Sequence, residues 1–125
     1  MRLLLDSHVI VWWALYPERL RASTRSAITT PENEVVISAA SVWELGLKIA
    51  RQKLSLPDNY AATLLGDGLH ELPVSLAHAQ RAMSLPPLHG DPFDRLLIAQ
   101  ALTEGLLLVT SDQAIHRYDV PTLGA

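Results

Sequence analysis

Residues 91–112 read DPFDRLLIAQALTEGLLLVTSD. The pair Asp91-Pro92 is typical of a helix start, because aspartate caps the first turn and proline suits the first helical position. The helix should end near Glu104-Gly105, and the apolar run that follows predicts a short buried strand over 106–109. This stretch therefore predicts one helix-strand unit of an α/β protein.

The same alternation of apolar strands and helices continues along the chain. The predicted strands cover residues 2–5, 34–38, 69–74, 106–109 and 119–123, and the predicted helices cover residues 7–15, 18–30, 39–53, 58–66, 75–84 and 92–104. All-apolar strands joined by helices predict a parallel sheet that is covered by helices on both faces. We expect residues 1–125 to form a single domain of this α/β class.

Composition excludes several classes of protein. With 49% hydrophobic and 18% charged residues, the 125-residue chain has the composition of a globular domain rather than a disordered one. Only three apolar residues lie between Arg2 and Asp6, so we expect no signal peptide, and no apolar run is long enough to span a membrane. The absence of cysteine removes thiolate zinc sites and is compatible with a reducing cytosol. We expect a cytoplasmic protein.

Asp94 is the most informative single residue. It is the only charged side chain on the helical stripe Asp94, Leu97, Ile98 and Ala101, whose spacing of i, i+3, i+4 and i+7 defines one helix face. A carboxylate on a buried face is unfavourable unless a partner compensates its charge. A metal ion is one such partner.

Three further acids occur where a parallel sheet would bring them to the same place. Asp6 and Asp112 closely follow apolar strands, and Glu44 lies on the helix that follows the second strand. Ligands of open parallel sheets bind beyond the carboxyl ends of the strands, where the strand order reverses. The sequence therefore predicts a four-carboxylate site that comprises Asp6, Glu44, Asp94 and Asp112.

Each acid also has a structural explanation. Asp6 could cap the helix that follows it, and Asp94 could be a first-turn acid whose apolar neighbours start below it. Glu44 could complete a capping box with Ser41 or pair with Lys48, and Asp112 could favour the start of a helical turn. Asp91 is expected mainly to cap its helix, with a supporting role beside the metal ligands as the alternative. The pattern formed by the acids together is more specific than any one of them.

The ligand types favour Mg²⁺ or Mn²⁺ over zinc, because the acids come without cysteine and without a closely spaced histidine pair. A surface or core role is expected for each of the five histidines, which are His8, His70, His78, His89 and His116. Oxygen-bound divalent ions are suited to phosphoryl chemistry. The net charge of −3 does not exclude a nucleic-acid substrate, because cations at the four acids would offset it.

Four segments carry a family resemblance. They are Leu4-Leu5-Asp6-Ser7-His8-Val9, Ser41-Val42-Trp43-Glu44-Leu45, Asp91-Pro92-Phe93-Asp94-Arg95-Leu96-Leu97-Ile98-Ala99-Gln100-Ala101 and Leu108-Val109-Thr110-Ser111-Asp112. With these segments in order over nearly its whole length, the chain resembles the PIN-domain nucleases, specifically the VapC-like toxins of type II toxin-antitoxin modules. The resemblance implies a Mg²⁺- or Mn²⁺-dependent ribonuclease with a three-layer α/β/α fold and a parallel sheet of about five strands. It also implies that Asp6, Glu44, Asp94 and Asp112 are the acidic quartet of that family.

Further side chains could support the ligands or contact the substrate. Ser7 stands where the family often has threonine, and Thr110 stands at the hydroxyl position before the last acid. Lys48 and Arg51 follow Glu44 on the same helix and could guide an RNA backbone, although a solvated face is an equal alternative. Arg95 could contact a phosphate or hold a carboxylate.

The resemblance also implies partners: a cognate antitoxin protein, an RNA substrate, and assembly into homodimers and toxin-antitoxin hetero-oligomers. Trp12, Trp13 and Trp43 could stack on bases or receive an antitoxin helix, but we expect at least two of them to pack in the core or at a dimer contact.

Two alternatives to the ribonuclease remain open. One is another metal-dependent phosphohydrolase. A haloacid-dehalogenase-type phosphatase is disfavoured because Asp6-Ser7-His8 lacks a second acid two residues after the first. The other alternative is a non-catalytic PIN-like binding module in which the acids serve as helix caps.

Overall fold

Five strands form the centre of the structure, a computed structural model that describes residues 1–125. In chain order the elements are β1 (Arg2–Leu5), α1 (Ser7–Leu15), a 3-10 turn (Pro17–Arg19), α2 (Ala22–Thr29), β2 (Glu34–Ser38), α3 (Ala39–Ala50), α4 (Tyr60–Gly66), β3 (His70–Leu72), α5 (Leu76–Ser84), α6 (Pro92–Glu104), β4 (Leu107–Thr110), a second 3-10 turn (Ile115–Arg117) and β5 (Thr122–Gly124). None of the six α-helices combines the length and the apolar character needed to span a bilayer. The predicted alternation of strands and helices is confirmed.

The sheet has the order β3-β2-β1-β4-β5, and every neighbouring pair of strands is parallel. Leu3 of the central strand β1 pairs with Val35 of β2 on one side and with Leu107 of β4 on the other. The chain runs outward from β1 to β3 and then returns to the opposite side of β1. The direction of the connections therefore reverses between β1 and β4, whose carboxyl ends flank the crevice where such sheets bind ligands.

Buried apolar side chains lie on both faces of the sheet. Leu3 and Leu5 of β1 belong to a cluster that includes Val9 of α1, whereas Leu4 belongs to a second cluster that includes Leu97 of α6. Successive residues of a strand point to opposite faces, so these clusters place a helical layer on each side of the sheet. The expected three-layer α/β/α fold with five parallel strands is confirmed.

The predicted helix over 18–30 begins later than expected, at Ala22. Leu20 adopts an extended backbone and is buried, with 2% of its surface exposed. The next residue, Arg21, donates its backbone N–H to the carbonyl oxygen of Ala125 at 2.8 Å. Contact with the C-terminal strand therefore interrupts a segment that looks continuously helical in sequence.

Ser38 caps α3 as predicted, because its hydroxyl accepts the backbone N–H of Ala40 at 3.0 Å. The helix ends at Ala50 rather than near residue 53, and Gln52 then adopts a φ of 59°. Three other elements, α4, β3 and β5, are each two or three residues shorter than predicted. These differences leave the placement of the acidic residues unchanged.

Candidate metal centre

Asp6 lies directly after β1, and only 3% of its surface is exposed. One carboxylate oxygen accepts the backbone N–H of Ser7 at 2.7 Å, and the other accepts the hydroxyl of Thr110 at 2.7 Å. Burial by itself raises the pKa of Asp6, but hydrogen bonds from His8, Thr110 and Ser7 outweigh it and hold the pKa below its ordinary value. Asp6 is therefore ionised and oriented by the fold itself.

The hydroxyl of Thr110, the last residue of β4, joins two of the acids. It donates to Asp6 and accepts the backbone N–H of Asp112 at 3.0 Å. The carboxylate of Asp112 also accepts the backbone N–H of Ala114 at 2.9 Å. Asp112 therefore caps a turn, as one alternative predicted, and still lies at the same sheet edge as Asp6.

Asp94 lies in the first turn of α6, where only 7% of its surface is exposed. The pKa of Asp94 is raised to about 6: burial is the largest cause, the charges of Asp6, Asp91 and Asp112 act in the same direction, and a hydrogen bond with His89 opposes them. A buried carboxylate among other carboxylates is stabilised by a divalent cation, and the oxygen donors suit Mg²⁺ or Mn²⁺. The donor set therefore fits the predicted metal.

Glu44 reaches the site from α3. Its carboxylate accepts the hydroxyl of Ser7 at 2.5 Å and lies 3.6 Å from the ammonium of Lys48. The pairing with Lys48 is confirmed, but the capping box with Ser41 is wrong, because Ser38 caps the helix and Ser41 is buried inside it. Glu44 is therefore held by contacts that direct it toward the end of β1.

Three side chains that commonly bind metal ions lie close together, and one of them, His89, was not predicted as a ligand from the sequence. The ligand atoms of His89, Asp94 and Asp112 all lie within 4.8 Å of one another. Asp6 and Glu44 lie outside this group and are connected to the same edge through the hydroxyls of Thr110 and Ser7. The structure thus brings Asp94, Asp112 and His89 together and places Asp6 near enough for its charge to act on Asp94. Glu44 is linked to the end of β1 through Ser7 and is not part of the close group.

The PIN domain family model matches residues 3–121 of this chain. The chain belongs to the PIN-domain family. It is 33% identical to Ribonuclease VapC22 of Mycobacterium tuberculosis (strain ATCC 25618 / H37Rv) over 123 residues, with 94% of each chain covered. VapC22 is a curated relative, and the agreement extends over nearly the whole length of both proteins.

Solved structures show the same fold. The PIN domain is similar to a chain in the crystal structure of VapBC2 from Rickettsia felis bound to a promoter DNA fragment, with a TM-score of 0.74, 16% identity, and coverage of 99% of this chain and 98% of that one. It is also similar to a chain of a toxin-antitoxin complex from Klebsiella pneumoniae, with a TM-score of 0.64, 18% identity, and coverage of 96% and 94%.

Two side chains near Asp94 have structural roles in this PIN domain. Asp91 caps α6 by accepting the backbone N–H of Phe93 at 2.9 Å, as predicted. The guanidinium of Arg95 donates to the carbonyl oxygens of Ala82, Leu85 and Pro86 and to the hydroxyl of Tyr118, and so ties the segment between α5 and α6 to the helix. These bonds support a positioning role for Arg95 rather than the phosphate contact considered from sequence.

A second histidine also contacts the acidic crevice. Nδ1 of His8 lies 3.3 Å from Asp6, Nε2 lies 2.9 Å from the hydroxyl of Ser111, and the ring makes an edge contact with Trp12. The sequence predicted only a surface or core role for His8 and His89, and it did not predict that they contact Asp6 and Asp94. Both histidines lie close in sequence to an acid of the site, but their orientation also depends on distant contacts, of His8 with Ser111 and of the loop of His89 with Tyr118. No spacing in the sequence indicates those distant contacts.

The tryptophans divide as expected. Trp12 and Trp13 are partly buried against the core, which confirms packing for two of the three. Trp43 is 66% exposed and makes an edge contact with the ring of Phe93. Of the predicted basic contacts, Lys48 is paired with Glu44, and Arg51 is exposed at the end of α3.

Proposed function

We propose that this PIN domain is a Mg²⁺- or Mn²⁺-dependent endoribonuclease that acts in the cytoplasm as the toxin of a type II toxin-antitoxin module. The observation that carries the proposal is the buried carboxylate of Asp94, which is surrounded by the charges of Asp6, Asp91 and Asp112. Clustered carboxylates bind hard divalent cations, and such ions promote hydrolysis of phosphodiester bonds.

The relatives support RNA as the substrate and a protein as the partner. The Mycobacterium tuberculosis relative is named a ribonuclease, and the Klebsiella pneumoniae neighbour is a toxin-antitoxin complex. We extend both properties to this chain: it hydrolyses RNA, and a cognate antitoxin binds and neutralises it. Homodimers and toxin-antitoxin hetero-oligomers are part of the same proposal.

Asp6, Glu44, Asp94 and Asp112 would hold the ion, which when bound acts as a Lewis acid that activates water and stabilises charge on the phosphate. The protein orients the carboxylate oxygens of these residues before the ion binds. Thr110 fixes a carboxylate oxygen of Asp6, so little reorganisation is needed there. The hydroxyl of Ser7 plays the corresponding part for Glu44.

The charge of the crevice favours RNA binding only after divalent cations have offset the negative charge of the acids. The chain has a net charge of −3, and the crevice itself is acidic, so an uncompensated site repels phosphate. The ammonium of Lys48, whose side chain is 51% exposed beside Glu44, supplies positive charge at the rim. RNA binding should therefore depend on the divalent cation as well as on the basic rim.

Purified protein should cleave RNA when Mn²⁺ or Mg²⁺ is present and should stop when EDTA removes the ion. The measurement is gel analysis of a set of labelled single-stranded RNAs that includes a circular one, because only an endonuclease opens a circle. Excess Mn²⁺ added after EDTA should restore cleavage. Cleavage that continues at the same rate in EDTA would contradict the metal-dependent mechanism.

Expression of the chain alone should slow bacterial growth, because an unneutralised ribonuclease degrades cellular RNA. The Asp94→Asn variant should relieve this toxicity, and a small protein encoded next to the gene should both bind the chain and restore growth. Growth curves are the measurement, with Asp67→Asn as a control, since Asp67 is exposed at the end of α4. Equal toxicity of the wild-type and Asp94→Asn chains would argue against nuclease toxicity.

A further inference from the structure

A histidine side chain lies among the carboxylates of the candidate metal centre. Nε2 of His89 lies 2.8 Å from Oδ2 of Asp94, and the ligand atoms of His89, Asp94 and Asp112 are mutually within 4.8 Å. The side chain of His89 is 23% exposed, so it lies at the mouth of the crevice rather than in bulk solvent.

The position of His89 is fixed by the surrounding fold. Its backbone N–H donates to the hydroxyl of Tyr118 at 3.0 Å, and the N–H of Leu88 donates to the same hydroxyl at 3.2 Å. Tyr118 is 6% exposed and also bonds to Arg95 of α6. The loop that carries His89 is therefore anchored to the same helix that carries Asp94.

We propose that His89 is a direct ligand of the metal ion, so that the centre combines an imidazole nitrogen with carboxylate oxygens. This inference rests on the proposed function, because it concerns the same ion. Two donors bound side by side to an octahedral ion at about 2.1 Å are about 3 Å apart, and Nε2 of His89 and Oδ2 of Asp94 already have this spacing. Without the ion they share a proton in a hydrogen bond, and binding of the ion to Nε2 would release that proton to solvent.

An imidazole ligand changes which ion the site prefers. Imidazole suits first-row transition metals, whereas Mg²⁺ is bound almost entirely by oxygen. His89 therefore shifts the selectivity of the site away from Mg²⁺ and toward first-row transition-metal ions, modestly for Mn²⁺ and more strongly for Co²⁺. The preference should decrease when His89 is replaced by a residue without a nitrogen donor of this kind.

The decisive measurement is pulsed electron paramagnetic resonance of the full chain loaded with one Mn²⁺. A directly bound imidazole gives a ¹⁴N coupling, which should become a ¹⁵N coupling when histidine alone is labelled with ¹⁵N. The coupling should vanish in His89→Gln and persist in His70→Gln. His70 is a matched control, because it is exposed at the start of the edge strand β3, which is separated from β1 by β2.

Affinity provides a second readout. The dissociation constant of Mn²⁺, measured by titration calorimetry, should rise at least about tenfold in His89→Gln, because even residues that only support metal ligands contribute about 10- to 100-fold. The dissociation constant of Mg²⁺ should rise less. An equal rise for both ions would contradict the selectivity.

The outcomes separate this inference from the proposed function. Stoichiometric Mn²⁺ without an imidazole coupling in the labelled wild-type protein overturns the ligand role of His89 and leaves the metal-dependent nuclease standing. A coupling that survives in His89→Gln but is lost in His8→Gln also overturns it. Failure of the wild-type protein to bind Mn²⁺ at all would reject the inference together with the metal-dependent function.

Discussion

RNA cleavage should fall by at least about 100-fold in Asp94→Asn and in Asp6→Asn, because each change removes the charge of a proposed metal ligand and even residues that only support ligands are worth about 10- to 100-fold. Asparagine keeps the shape of aspartate. The amide of asparagine has one acceptor oxygen, so Asp6→Asn can accept only one of the two hydrogen bonds that the carboxylate of Asp6 receives from Ser7 and Thr110. The circular-dichroism spectrum of each variant is therefore compared with that of the wild-type protein, and in a folded variant the loss of activity reports on the missing charge.

The measurement is the initial rate of cleavage of a labelled RNA at several Mn²⁺ concentrations. A higher Mn²⁺ concentration should recover part of the activity if the variant has mainly lost affinity. Asp67→Asn serves as the matched control and should cleave at the wild-type rate, because Asp67 is exposed at the end of α4. Full cleavage by both folded site variants would exclude the carboxylate site as the source of activity.

The positions of the acids were predictable because they follow from local pattern and topology. Asp94 stands out from the apolar stripe of α6, whose other members are indeed buried. Asp6 and Asp112 follow apolar strands, and parallel pairing of β1 with β4 brings those strand ends together. Periodicity and the rule for parallel sheets are sufficient for this part of the site.

The position of His89 was not predictable, because it depends on a tertiary anchor. The hydroxyl of Tyr118 holds the loop of His89, yet the two residues are 29 positions apart and no periodic pattern links them. The same limit explains the late start of α2, where a bond from Arg21 to Ala125 overrides local helix propensity. At these two places, contacts between residues that are distant in sequence decide the structure, and the local sequence pattern does not indicate them.

The capping box at Ser41 and Glu44 shows how two local signals compete. The Ser-x-x-Glu pattern is present, but Ser38 already has the extended backbone of the end of β2 and lies where the helix must begin. An N-cap side chain bonds to backbone N–H groups of the first helical turn that follows it, so Ser38 caps α3 and Ser41 does not. Glu44 is left free to contact Ser7 and the crevice.

Asp94→Asn should be more stable than the wild-type protein when EDTA is present at neutral pH. Burial and the neighbouring charges of Asp6, Asp91 and Asp112 raise the pKa of Asp94 from 3.8 to about 6. A difference of about 2 pKa units corresponds to about 3 kcal/mol of unfavourable free energy for the ionised form in the folded state. Asparagine carries no charge, so it removes this penalty while keeping nearly the same volume.

The pH dependence has a defined sign. Below pH 3.8 Asp94 is protonated in both the folded and the unfolded chain, so its charge contributes no difference. As the pH rises from 3.8 to about 6, the unfolded chain releases this proton first, and the free energy of unfolding of the wild-type protein falls relative to that of Asp94→Asn. Above pH 6 the difference should stay constant at its largest value.

Metal should reduce the difference in stability between the two proteins. If only the folded protein binds Mn²⁺, the ion at about 100 times its dissociation constant adds about 2.7 kcal/mol to the free energy of unfolding of the wild-type protein. Asp94→Asn should gain less, because it lacks one of the proposed ligands. Thermal melting of both proteins in EDTA and in Mn²⁺, at matched ionic strength and at several pH values, tests the prediction. Asp67→Asn should follow the wild-type protein throughout. If the wild-type protein is the more stable in EDTA and both gain equally from Mn²⁺, the charge of Asp94 is compensated within the fold by His89, and Asp94 does not bind the ion.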